Sequence, residues 1–162
     1  MRSVIVLVII FGVLAGGCIG DTSVTETGTE SISIPVTDMQ QINESLEEGP
    51  VLLKIGAEWC PPCQEQDPII DALAKEYEGR AAVMHIDTDA SSELAMIFNV
   101  YSIPDSCVIV DREEGQYVYM GLDGITDNTR ERVRFLGLTN KQILATTLDH
   151  AIELRANQLK VD

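Results

Sequence analysis

The sequence is poor in aromatic residues. One Trp, three Phe and four Tyr make up 5% of its 162 residues, so aliphatic side chains must fill most of any core. It is also poor in bases: 11 Lys and Arg stand against 26 Asp and Glu, for a net charge of −15. Nucleic-acid phosphates call for a basic surface, so no nucleic-acid partner is expected. The apolar run from Val4 to Leu14 falls well short of the roughly 20 residues of a comfortable membrane span. Two His and four Cys lack the paired spacing of a four-ligand structural zinc site, and no metal is expected. No internal repeat is present.

The first twenty residues carry a recognisable pattern. Arg2, a short apolar stretch and then small residues form the outline of a secretory signal. The stretch "LAGGC" resembles the lipobox of prokaryotic lipoproteins, which makes Cys18 the expected site of lipid attachment. Ala15 stands where that family usually has Leu. The alternative is an uncleaved anchor helix from Val4 to Ile19. Both place the rest of the chain extracytoplasmically, on the outer face of the cell membrane. Residues 20–31 are small, polar and acidic, as in a flexible tether. The expected organisation is a signal peptide at 1–17, a lipidated tether at 18–31 and a folded domain at 32–162.

Strand-like and helix-like segments then alternate. "SISIPV" alternates apolar and polar residues as a half-buried strand does, and Pro35 assigns it to a sheet edge. Thr37 and Gln40 form a capping box for a helix that runs to about Glu48. Residues 51–57 read as a central strand covered on both faces. A helix is expected from Pro61 to about Glu78, with Pro68 inside it and Gly79 as its stop. Residues 81–87 form a strand and "SSELAMIFN" a short helix. Residues 106–111 and 116–121 form an antiparallel pair turned by "EEG", and 126–137 a short helix. Thr139 and Gln142 form a second capping box, for a final amphipathic helix. This order predicts an α/β layered domain.

The chemistry lies in "GAEWCPPCQEQDP". Two thiols at this spacing bind a metal or cycle between dithiol and disulfide. The motif follows a buried strand and opens a helix, which favours redox cycling. Cys60 falls at the helix N-cap, where free N–H groups and the helix dipole favour the thiolate. Its sulfur is expected to sit exposed at the helix tip and act as nucleophile. Cys63, one turn later and more buried, is the expected resolving thiol.

"AEWCPPC", "SIP" at 102–104 and the hairpin "IVDREEGQYVYMG" together resemble the thioredoxin superfamily. The resemblance implies a thioredoxin fold: a central mixed sheet of about five strands flanked by helices. It implies thiol–disulfide exchange with protein disulfide or dithiol substrates and a redox donor protein, by a monomer without bound cofactor. It implies a cis Ile103–Pro104 bond facing the cysteines. Trp59 would shield and orient the site. Pro104 would keep stray metals off the sulfurs, and the backbone beside it would receive the substrate strand.

The chain departs from that family at several positions. Pro61 and Pro62 offer no N–H to the Cys60 sulfur, and only later donors such as the Cys63 N–H remain. This favours a reductant or a moderate exchanger. Thioredoxins proper bury an aspartate where this chain has Lys54, and the lysine that pairs with it aligns with Val83. Lys54 is expected to reach an acid such as Glu58, or the surface. Cys107 reads as a buried small residue, with an extra redox thiol as the alternative. Asp105 is placed to raise the pKa of the sulfurs. His85 and His150 read as surface or packing residues. Arg130, Arg132 and Arg134 read as a solvated helix face, or as a dock for an acidic partner. The expected activity is reductive or isomerising disulfide exchange. The alternatives are a disulfide-forming oxidant, or a binding or copper-delivery module.

Overall fold

The structure, a computed structural model, describes residues 32–160. The expected signal segment, Cys18 and the expected tether lie outside the described residues.

The run "VLLKIG" forms strand β2 (Val51–Gly56), buried along its whole length. It pairs parallel with β3 (Ala82–Asp87) and antiparallel with β4 (Asp105–Glu113). Beyond β3 lies the edge strand β1 (Ile34–Pro35), and beyond β4 lies β5 (Gln116–Met120). Glu114 and Gly115 both take positive φ in the two-residue turn between β4 and β5. Among the described residues the mixed sheet has seven strands, the five expected and two more. The two additions are short: β6 (Thr126–Asp127) beside β5, and β7 (Phe135–Leu136) beside the start of β4. Both lie in the stretch expected to be helical, where only one helical turn forms, α4 (Arg130–Val133). Arg130 and Arg134 are drawn inward there by a buried carboxylate, and the chain turns extended at Arg134.

Alternation along the strands sorts two cores. Leu53 and Ile55 join Cys107 and Ile109 on one face. That face is covered by α1 (Met39–Glu48) and α3 (Ser92–Ile97). Leu52, Val83 and Val108 line the other face. That face is covered by α2 (Pro61–Glu76) and by the last helix, α5 (Lys141–Gln158). Lys54 and Gly56 share the parity of Leu52, so the Lys54 side chain and the open face of Gly56 both lie toward α2.

The helices begin one residue later than the capping boxes predicted. Asp38 caps α1, and Gln41 closes the box. Asn140 caps α5, accepting from the Ile143 N–H at 3.0 Å. Asn and Asp cap better than Thr, because their carbonyl or carboxylate oxygens accept more readily. Thr139 serves instead in a buried joint. The Gln66 side chain donates to its carbonyl (3.0 Å) and accepts from its N–H (2.7 Å), which locks α2 to the start of α5. A second joint links the same helices. The Tyr77 hydroxyl donates to Asp149 at 2.9 Å, and burial helps to push its pKa up to about 12.

Candidate active site

Strand β2 delivers its C-terminal end to a short loop, and the loop delivers Cys60 to the N-terminus of α2. Pro61 suits the first helical position, because an N–H there would lack a partner anyway. Cys60 is the N-cap, and its carbonyl accepts from the N–H groups of Cys63 (2.9 Å) and Gln64 (3.1 Å). The Cys63 N–H, the donor expected to be free for sulfur, is thus engaged by a backbone carbonyl.

Cys60 and Cys63 are joined in a disulfide, with Cα atoms 5.2 Å apart. The expectation of an exposed Cys60 does not hold: the residue is 4% exposed, and Cys63 is fully buried. Ala57 and Ile103 pack against the pair. The Ile103–Pro104 bond is cis, and the Ile103 carbonyl oxygen lies 3.9 Å from the Cys60 sulfur. The Pro104 carbonyl accepts from the Gly137 N–H at 2.8 Å. Trp59 is 66% exposed beside the cysteines, and its indole N–H donates to Asp89 at 2.8 Å.

Asp105 follows Pro104 but does not face the sulfurs. Its carboxylate is fully buried between Arg130 (2.6 Å) and Arg134 (3.0 Å), whose side chains are 4% and 3% exposed. Burial raises its pKa and the two guanidiniums oppose that rise. The basic cluster is therefore no solvated face. Arg130 and Arg134 are internal, and Arg132 alone reaches solvent, where it pairs with Asp127. Arg130 also donates to the Phe98 carbonyl at 2.8 Å and Arg134 to the Asn99 carbonyl at 3.2 Å. The triad so ties the start of β4 to the end of α3. Cys107 lies on the α1–α3 face, opposite the disulfide, and burial pushes its thiol up to about 11. It is a core residue.

Lys54 is 5% exposed and pairs with Asp67 at 2.6 Å, not with Glu58. Sequence reasoning missed Asp67, though the signal was there: it lies four residues after Cys63, on the same helical stripe. It missed Asp89 too, for which no local pattern exists. Gly56 was another omission. A Cβ there would come within 2.8 Å of the Lys54 ammonium and 3.0 Å of the Cys63 sulfur, so only glycine leaves both in place.

His85 lies across from Lys54 on β3, half-buried, with its Nδ1 3.0 Å from the Ser33 hydroxyl. Desolvation lowers its pKa below 6.5, and the Lys54 ammonium lowers it further. The unfolded chain therefore binds a proton at a pH where the folded chain does not. The stability His85 contributes is present above about pH 6.5 and is lost as the pH falls below it. In urea titrations from pH 7.5 to 5.5, the wild type should lose more stability than His85→Gln.

The thioredoxin family profile matches residues 34–127. Thioredoxin from Staphylococcus haemolyticus is 35% identical over 80 residues, 49% of this chain and 76% of that protein. Thioredoxin 1 from Nostoc is 32% identical over 100 residues, 61% of this chain and 91% of that protein. The chloroplastic M-type thioredoxin of spinach is 42% identical over 76 residues, but the match spans only 42% of that protein's length. Among solved structures, a mutant thioredoxin from Halobacterium salinarum superposes with a TM-score of 0.56 at 22% identity. It covers 75% of this chain and 93% of its own. The thioredoxin of Trichomonas vaginalis gives the same TM-score at 21% identity, covering 77% of this chain and 98% of its own. The paired cysteines form the site of a thiol–disulfide oxidoreductase, and with a family profile spanning more than half of its residues the chain belongs to the thioredoxin family.

Proposed function

We propose that the protein reduces or reshuffles disulfides of extracytoplasmic proteins, held at the outer face of the cell membrane by a lipid on Cys18. One observation carries the redox part: a disulfide at the start of a 16-residue helix, packed against Ile103 of the cis Ile103–Pro104 bond. In the reduced protein the Cys60 thiolate attacks a substrate disulfide. One substrate sulfur leaves as a thiolate and takes a proton from solvent. Cys60 is then bonded to the other substrate sulfur. The Cys63 thiol loses its proton and attacks Cys60, which forms the Cys60–Cys63 disulfide and releases the second substrate sulfur. A redox donor protein restores the dithiol. The Pro104 carbonyl is already engaged, so the substrate strand docks on the N-terminal side of that residue, at Ser102 and Ile103.

The reductive or isomerising direction rests on the donors around Cys60. Pro61 and Pro62 have no N–H, and the Cys63 N–H is taken by the Cys60 carbonyl. The helix dipole remains to stabilise the thiolate, without the hydrogen bonds that make strong oxidants. The couple should equilibrate with glutathione nearer the ~−270 mV of reductants than the ~−120 mV of strong oxidants. A potential at the oxidising end would overturn the direction while leaving the exchange chemistry intact. Location is tested separately: Cys18→Ser should move the protein from the membrane to the soluble fraction and abolish lipid labelling.

A further inference from the structure

The ammonium of Lys54 and the sulfur of Cys63 flank one small space above Gly56, at 2.8 Å and 3.0 Å from the position a Cβ would take there. They lie within the ~6 Å over which an opposite charge favours an ionised group. Cys63 is fully buried, so desolvation alone works against its thiolate. We propose that Lys54 is the residue that makes Cys63 a competent resolving nucleophile, by stabilising its thiolate in the mixed disulfide. The proposal rests on Cys60 attacking first and Cys63 resolving.

The surroundings suit this role. The Lys54 side chain extends from β2 and is held by Asp67 of α2, so its charge is fixed in place. Asp67 and Cys63 face it from α2, and His85 faces it from β3. On the opposite strand, its neighbour is the uncharged Ser106. An open recess of about 610 Å³ reaches Lys54 from solvent, lined also by Glu58, Asp67, Asp71, His85 and Asp87. In the resolving step the Cys63 proton leaves to solvent. The Cys63 electron pair forms the bond to Cys60, and the substrate sulfur departs with the pair of the broken bond. Asp67, the closest anion, moderates the effect of Lys54.

The test isolates the resolving step. The reduced protein is treated with one equivalent of dithiobis-nitrobenzoate, and release of the second thionitrobenzoate is followed by stopped flow against pH. Release of one equivalent and no second by Cys63→Ala, with none by Cys60→Ala, establishes the order of attack; failure of the second release in wild type overturns the proposed exchange itself. With that order in place, Lys54→Gln should move the midpoint of the pH profile upward by about one unit. At neutral pH the smaller thiolate fraction is partly offset by greater nucleophilicity, so the rate should fall roughly threefold. Lys54→Arg should restore the wild-type midpoint. Asp67→Asn, at a half-exposed position, should move the midpoint downward. A merely structural lysine would not shift the two profiles in opposite directions. An unmoved midpoint in Lys54→Gln, or equal shifts in all variants, overturns the role of Lys54 alone.

Discussion

Cys60→Ser should reduce turnover in an insulin disulfide-reduction assay to the uncatalysed rate. Exchange passes through a covalent S–S bond, and a serine oxygen cannot form it. A hydroxyl at the helix N-terminus also stays protonated where a thiol ionises, so the dipole that assists Cys60 has nothing to act upon. The loss is therefore complete rather than graded. Cys63→Ser should behave differently. It retains the first attack and accumulates a mixed disulfide with substrate, visible as a mass increase under non-reducing conditions. Cys107→Ser should turn over at the wild-type rate. Its thiol is fully buried on the far face of the sheet and held up near pKa 11, so it neither meets substrate nor ionises. Loss of turnover in Cys107→Ser, or its retention in Cys60→Ser, would move the chemistry to a different sulfur.

Asp105→Ala should cost about 3–5 kcal/mol of stability, the range for removing one partner of a buried ion pair. The carboxylate has no solvent exposure, and both of its guanidinium partners are almost fully buried. Removing it strands two cations in a medium that cannot hydrate them. Against a typical total of about 5–15 kcal/mol, the remaining margin is small. The thermal midpoint should fall by roughly 10–20 °C. Replacement of the whole triad by apolar residues of similar volume should cost less than the single deletion, because no charge is then left unpaired. Arg132→Ala is the control. That side chain is 71% exposed and pairs only at the surface, so the midpoint should not move. Equal midpoints for Asp105→Ala and Arg132→Ala would show that the triad does not hold this region together. The position gives the triad a second consequence. Asp105 immediately follows Pro104, and Arg130 and Arg134 reach the carbonyls at the end of α3. A loosened triad should therefore also slow catalysis at temperatures where the protein is still folded.

The strands were legible because their signal is local. A six-residue apolar run bounded by turn residues reads as a covered strand, and β2 is buried at every position. The CxxC and its helix were legible for the same reason: an N-cap, a proline at the first turn and a cysteine pair are all set by neighbours in sequence. The segment 126–137 was misread because its conformation is set elsewhere. Its three arginines carry a helical and solvated appearance, but a carboxylate more than 20 residues earlier pulls two of them inside. The exposure of Cys60 was misjudged for a related reason. Ile103, distant in the chain, lies against it.

Taken alone, the amino-acid order determined that this chain alternates strands and helices, that two thiols stand one helical turn apart, and that no histidine or cysteine set at paired spacing surrounds them. These follow from periodicity and near-neighbour chemistry, which act over a few residues. Only the folded arrangement decided which charged and polar groups meet: Lys54 with Asp67 beside the Cys63 sulfur, Asp105 with two arginines behind Pro104, Trp59 with Asp89. Electrostatic partners are chosen by distance through space and by the loss of water around them, and neither quantity is written along the chain.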